Sequence, residues 1–211
     1  MEAEFWHQRW QDKDIGFHEG KANAFLVKYL NSLSLTPGDR IFVPLCGKTQ
    51  DIGWLLAQGF KVIGVELSEI AVKELFVDLE VIPCVSDVDG FKQYKATNIE
   101  IFVGDFFQLS GEHLERINAV YDRAALVALP KIMRQRYTAH LQRITNTAPQ
   151  LLVCYEYDQN QMEGPPFSIS GEEISGHYGE QYRCLRQESV SVIGGIKGLC
   201  NGYENVWLLT N

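Results

Sequence analysis

The stretch from Arg40 to Ser68, RIFVPLCGKTQDIGWLLAQGFKVIGVELS, constrains the fold most, because it reads in turn as strand, glycine turn, helix, strand and strand-end acid. Ile41, Phe42 and Val43 are a short apolar β run, and Gly47 stands where the backbone must turn before a helix. That helix is expected from about Thr49, with Ile52, Trp54, Leu55 and Leu56 on its buried side and Gly59 as its C-cap. Lys61 to Val65 is a second β run, and Glu66 closes it. Ligands of open parallel sheets bind outside the carboxyl ends of the strands, so Gly47 and Glu66, nineteen residues apart, are expected to face one crevice. A carboxylate placed there can accept hydrogen bonds from both hydroxyls of an adenosine ribose. A glycine turn followed by an acid also arises by chance in α/β domains, and G-x-G-x-x-G is missing, so the pattern needs support from the rest of the chain.

A chain of 211 residues is expected to form one domain, 1–211, able to bury roughly 70% of the surface its unfolded form exposes. With 45% hydrophobic and 22% charged residues it belongs to the globular class. A net charge of −8 argues against a protein that wraps nucleic acid. The five cysteines form no C-x-x-C pair, so neither a metal site nor a disulfide framework is expected. Cys46 adjoins the glycine turn, where a nucleophilic role is the lesser alternative to that of a small hydrophobe. No signal or transit peptide and no membrane-spanning run is found, so a cytoplasmic monomer working on a small molecule is expected.

Residues 1–36 read as an aromatic arm followed by one helix carrying Phe25, Leu26, Tyr29, Leu30 and Leu33, and the segment is expected to act as a lid. A helix over 69–79 presents Ile70, Val72, Leu75, Phe76 and Leu79. Residues 81–98 are a polar, aspartate-bearing insertion with room for a short hairpin, and Ile99 to Val103 is the third strand. Strands over 118–122 and 151–157 flank a helix over 131–144, and Ser170 caps a helix over 172–178. The last strands, 182–193 and 203–209, have no helix between them. This order predicts a mostly parallel, seven-stranded α/β sheet ending in an antiparallel hairpin.

A dinucleotide oxidoreductase shares the glycine turn and the acid, but it also needs backbone amides on a pyrophosphate. S-adenosylmethionine has no phosphate, so the missing G-x-G-x-x-G, Gly104-Asp105 after the third strand and the terminal hairpin favour it, in a Rossmann-like class I methyltransferase fold. The specific features are Trp6 and Trp10 with Phe17-His18 after them, PLCGK at Pro44 to Lys48, GVELS at Gly64 to Ser68, DRAALVAL at Asp122 to Leu129, and GPPF at Gly164 to Phe167. Together, and in this order, they resemble the thiopurine S-methyltransferase family over essentially the whole chain.

The resemblance implies S-adenosylmethionine as cofactor, held by Trp10, Leu45, Glu66 and Arg123, with Gly47 giving room at the turn and Trp6 left as a structural seal. Asp105 and Phe106 are read as adenine contacts, Asp105 having a capping role as its equal alternative. Phe17 is expected at a mouth shared by cofactor and substrate. Arg123 is expected either to bind the methionyl carboxylate or to stabilise a thiolate, with an ion pair to Asp122 as the structural alternative. His113 and His140 fall on helices and His7 and His18 in the arm, so no histidine is assigned as general base. The implied reaction is S-methylation of an aromatic or heterocyclic thiol such as a thiopurine. Mammalian members carry a second arginine near the C-terminal hairpin where this chain offers only Lys197, which leaves other thiols and selenium or tellurium species as alternative acceptors. An NAD-type oxidoreductase and a cofactor-binding module without catalysis are more distant readings.

Overall fold

The computed structural model describes residues 3–211. Its centre is built from β1 (Arg40–Pro44), β2 (Lys61–Glu66), β5 (Ile99–Val103), β6 (Ala119–Arg123) and β7 (Gln150–Tyr157), which lie parallel in the order β5-β2-β1-β6-β7. From β1 the chain first moves to one side, to β2 and β5, and later crosses to the other, to β6 and β7. The reversal opens a crevice at the carboxyl ends of β1, β2 and β6. Glu66 is the last residue of β2, in register with Val103, and Arg123 is the last of β6, in register with Val153. Both therefore reach the crevice.

Each central strand is apolar on both sides, so each face takes a cover. Phe42, Ile63, Val120 and Leu152 pack with α6 (Lys131–Ile144) and α7 (Gly171–Tyr178), through Tyr137, Leu141, Ile174 and Tyr178. Ile41, Val43, Tyr121 and Leu151 pack on the other face with α2 (Ala24–Tyr29), α3 (Gln50–Ala57) and α4 (Glu69–Asp78). Thr49 starts α3 by accepting from the Asp51 amide, and Gly59, at φ +87°, ends that turn. Ile70 differs from its expected place. It sits on the outer face of α4, where Val77 is also exposed.

The sheet has nine strands rather than the seven expected. Residues 81–98 form the hairpin β3 (Cys84–Val88) and β4 (Phe91–Ala96), and β4 pairs antiparallel with β5, so the hairpin extends the sheet. Its polarity follows from its position, since β3 is an edge strand with an exposed surface on both faces. At the opposite end β7 pairs antiparallel with β9 (Gly202–Thr210), and β9 with β8 (Arg183–Ser191). The aromatic arm also differs from expectation. It contains a nine-residue helix, α1 (Ala3–Gln11), laid over the crevice rather than an irregular segment. A short helix, α5 (Gly111–Leu114), completes the set. Among the described residues no helix is long and apolar enough to cross a membrane.

Candidate functional site

The crevice encloses a cavity of about 840 Å³ whose lining includes Trp10, Phe17, Leu45, Gly47, Glu66, Asp105, Phe106 and Arg123. Its floor is the loop after β1. Leu45 at φ +46° and Gly47 at φ +52° both lie in the left-handed region, which costs a leucine about 1–2 kcal/mol and glycine far less. The loop is held by Glu66, whose Oε2 accepts from the Gly47 amide and Oε1 from the Ser68 amide, each at 2.8 Å. Burial pushes the Glu66 carboxyl up, and the Ser68, Gly47 and Leu67 amides pull it part of the way back. Each oxygen keeps a second lone pair for a ligand hydroxyl.

Trp10, only 2% exposed, closes the floor from above. A Cβ on residue 47 would stand 3.0 Å from the Trp10 ring, so Gly47 is required by close approach as well as by φ. Phe17 stacks edge-on against both Trp10, at 5.7 Å, and Trp6, at 5.8 Å. Trp6 thus lines the cavity instead of serving as a remote seal, because it lies one helical turn before Trp10 on the same face of α1.

Arg123 has a different partner from the one expected. Asp122 turns away into the core, where it accepts from Tyr137 Oη at 2.6 Å and the Leu126 amide at 3.1 Å, and burial pushes its carboxyl up to about 6. Successive strand residues point to opposite faces, so Asp122 and Arg123 diverge. Arg123 instead donates to the Phe17 carbonyl at 3.0 Å and to Glu19, both in the segment after α1. Burial works against the Arg123 charge, and Glu19, Tyr121, Tyr155 and Asp51 together more than offset it.

At the far end Asp105 caps a single 3-10 turn, Phe106–Gln108, by accepting from the Phe107 amide at 2.9 Å. The capping alternative therefore holds, and Asp105 still faces the cavity. Phe106, 3% exposed, is chiefly packed against Tyr137 and His140. Phe107 also lines the cavity, with the Arg136 guanidinium 4.7 Å above its ring. Which phenylalanine of the pair turned outward was not legible in the sequence, since a 3-10 turn has no amphipathic period long enough to read.

His18 and Lys197 also line the cavity, as do Pro165 and Pro166 of the GPPF segment. Burial, followed by Lys48, lowers the His18 pKa, which keeps its ring neutral at neutral pH. Burial and then the Glu66 charge raise the Cys46 thiol well above its ordinary range, so the lesser alternative of a nucleophilic Cys46 is discounted. Apart from Arg9, no further cation of the arm faces the cavity among the described residues.

A model of the thiopurine S-methyltransferase family matches residues 1–211. A thiopurine S-methyltransferase from Xanthobacter autotrophicus is 56% identical, the match covering 99% of each chain. One from Teredinibacter turnerae is 51% identical, over 100% of this chain and 98% of that one. Among solved structures, the Burkholderia thailandensis 1,6-didemethyltoxoflavin-N1-methyltransferase, with bound 1,6-didemethyltoxoflavin and S-adenosylhomocysteine, superimposes with a TM-score of 0.67 at 13% identity. That match covers 99% of this chain and 87% of that chain. The magnesium protoporphyrin IX methyltransferase of Synechocystis, bound to S-adenosylhomocysteine, gives a TM-score of 0.65 at 13% identity, covering all of both chains. These distant likenesses establish the fold.

Proposed function

We propose that this chain, which belongs to the thiopurine S-methyltransferase family, transfers the methyl group of S-adenosylmethionine to the sulfur of an aromatic or heterocyclic thiol such as a thiopurine. One observation carries this reading into the geometry. Glu66 pins the Gly47 turn with one lone pair of each oxygen, at the carboxyl end of β2, while Trp10 packs directly above the same turn. The arrangement suits a nucleoside ribose on the acid and a methionyl chain threaded between turn and indole. When bound, S-adenosylmethionine supplies a methyl group already activated on a sulfonium sulfur, with S-adenosylhomocysteine as the leaving product.

The chain's own residues then divide the work. Glu66 accepts from the ribose hydroxyls, and Asp105 accepts from the adenine amino group beside the Phe106 and Phe107 rings. Leu45 and Gly47 shape the passage for the methionyl chain. Trp10 offers an aromatic face to the sulfonium, an attraction worth roughly 0.5–2 kcal/mol. Phe17 separates the cofactor end from the acceptor end and keeps water off the reacting line. Besides the two roles open to Arg123, its bonds to Phe17 and Glu19 support a third, that of holding the arm in place. No group is needed as a strong base, because an aromatic thiol ionises near neutral pH and releases its proton to solvent before attack. The enzyme then needs mainly alignment.

The proposal extends to a single cytoplasmic domain with residues 1–36 as its lid. Calorimetric titration tests the cofactor half: S-adenosylhomocysteine is expected to bind and NAD is not. Binding of NAD alone would overturn it.

A further inference from the structure

The cavity continues past Phe17 into a second end that the cofactor contacts do not use. Its walls are Trp6 from α1, Phe17, and Val192 and Ile196 from the connection between β8 and β9. Ile196 is buried in a small apolar cluster with Met162 and Cys200, so this wall is packed in place. An aromatic ring fits between such surfaces.

Two cations stand at the rim of this end. Arg9, one turn along α1 from Trp6, has its guanidinium largely buried, pairs with Asp14 at 3.2 Å and lies over the Phe5 ring. Its Nε is buried with no hydrogen-bond partner among the described residues. Lys197 comes from the β8 to β9 connection and makes no ion pair among the described residues. Burial first and the Arg9 charge second lower the Lys197 ammonium pKa, with Asp14 opposing, and both cations line the same cavity. Two positive charges thus stand near one carboxylate at the mouth of an aromatic slot, and the Arg9 Nε is left without an acceptor among the described residues. Of the other cavity cations, Arg123 pairs with Glu19 and Lys48 with Glu74 and Asp78, while Arg136 lies over the Phe107 ring beside Asp105 and Phe106.

We propose that Arg9 and Lys197 form an anion subsite for the methyl acceptor, so that the preferred substrates are aromatic thiols or selenols that carry an acidic group, such as a carboxylate, on the side of the ring away from the nucleophile. This specificity rests on the thiol-methylation reading above. The ring lies between Trp6, Phe17 and Ile196, the acid meets the guanidinium and ammonium at the rim, and the sulfur or selenium points toward Trp10. Holding the ring by both ends fixes the direction of attack, which a neutral acceptor of the same size would leave looser. A bidentate guanidinium and a lysine ammonium together also select for planar carboxylate over a neutral polar group.

The test compares 4-mercaptobenzoate with its methyl ester, at a pH above the thiol pKa of both, so that each reacts as thiolate and only the remote charge differs. The wild-type protein is expected to favour the free acid in kcat/KM by roughly tenfold or more, equivalent to about 1.4 kcal/mol. Lys197→Met is expected to cut that preference by about tenfold, and Lys197→Glu to invert it. Arg9→Gln is expected to act in the same direction. The preference of the wild type should also shrink as salt is raised, since the rim is open to solvent. Equal kcat/KM for acid and ester, or an equal loss for both in Lys197→Glu, overturns the subsite while leaving thiol methylation intact. Absence of turnover with both thiols, in protein that still binds S-adenosylhomocysteine, overturns the thiol reading and the subsite with it.

Discussion

Glu66 does two jobs with one carboxylate, and this changes what its removal should do. Taking it away leaves the buried amides of Gly47 and Ser68 without acceptors, each worth about 1–3 kcal/mol, so Glu66→Ala is expected to lower the unfolding midpoint as well as cofactor affinity. Glu66→Gln keeps one acceptor and removes the charge. It is expected to weaken S-adenosylhomocysteine by about 1–3 kcal/mol in calorimetry with a smaller loss of stability. Unchanged affinity would remove Glu66 from the ribose. Asp122 gives a second prediction at this scale. Its folded pKa of about 6 lies above the ordinary 3.8, so the native state holds the extra proton between those values. Stability from this group is therefore present below about pH 4 and falls as pH rises through 6. Asp122→Asn is expected to flatten the stability profile between pH 4 and 7 in urea denaturation; an unchanged slope would contradict the raised pKa. Glu66 and Gly47 were legible in the sequence because one strand and one helix fix their separation. The partners of Arg123 were not, because Phe17 and Glu19 lie more than a hundred residues away in sequence and only the fold brings them together.

Among the elements, the N-terminal arm shows why local pattern misleads. A nine-residue helix is marginal by itself and is stabilised by docking, so its sequence carries aromatic anchors rather than a clean amphipathic stripe. The anchors are specific. Arg123 holds the segment after α1, the Asn23 amide donates to Asp51 at 2.6 Å, and Lys13 pairs with Glu74. Amide exchange across residues 5–20 is expected to be measurable in the free protein and to slow when S-adenosylhomocysteine is added. Complete protection beforehand would make the arm a fixed wall. Arg123→Lys keeps the charge but cannot donate in the same fork, so exchange over the same residues should rise in the free protein. If exchange stays the same while cofactor affinity falls, Arg123 serves the methionyl carboxylate instead of the arm.

Over the whole molecule, the parallel centre was readable from the order of strands and helices, and the switch point at β1 follows from that order. The edge was less so. Residues 84–87 of β3 are exposed on both faces, which erases the alternation by which a strand is recognised, and the sheet consequently gains two strands beyond the seven expected. The position of the cavity depends only on the legible part, which is why all the site residues named from the sequence converge in it, while the acceptor end, built by α1 and the β8 to β9 connection, needed the structure. The central claim is methyl transfer from a sulfonium to a thiol in this cavity. It is tested most directly by incubating the protein with S-adenosylmethionine carrying a deuterated methyl group and an aromatic thiol, then weighing the products by mass spectrometry. Expected is a thioether heavier by the intact deuterated methyl group, formed one for one with S-adenosylhomocysteine and lost when the protein is omitted. An unlabelled thiol recovered unchanged, from protein that binds S-adenosylhomocysteine normally, would contradict the claim.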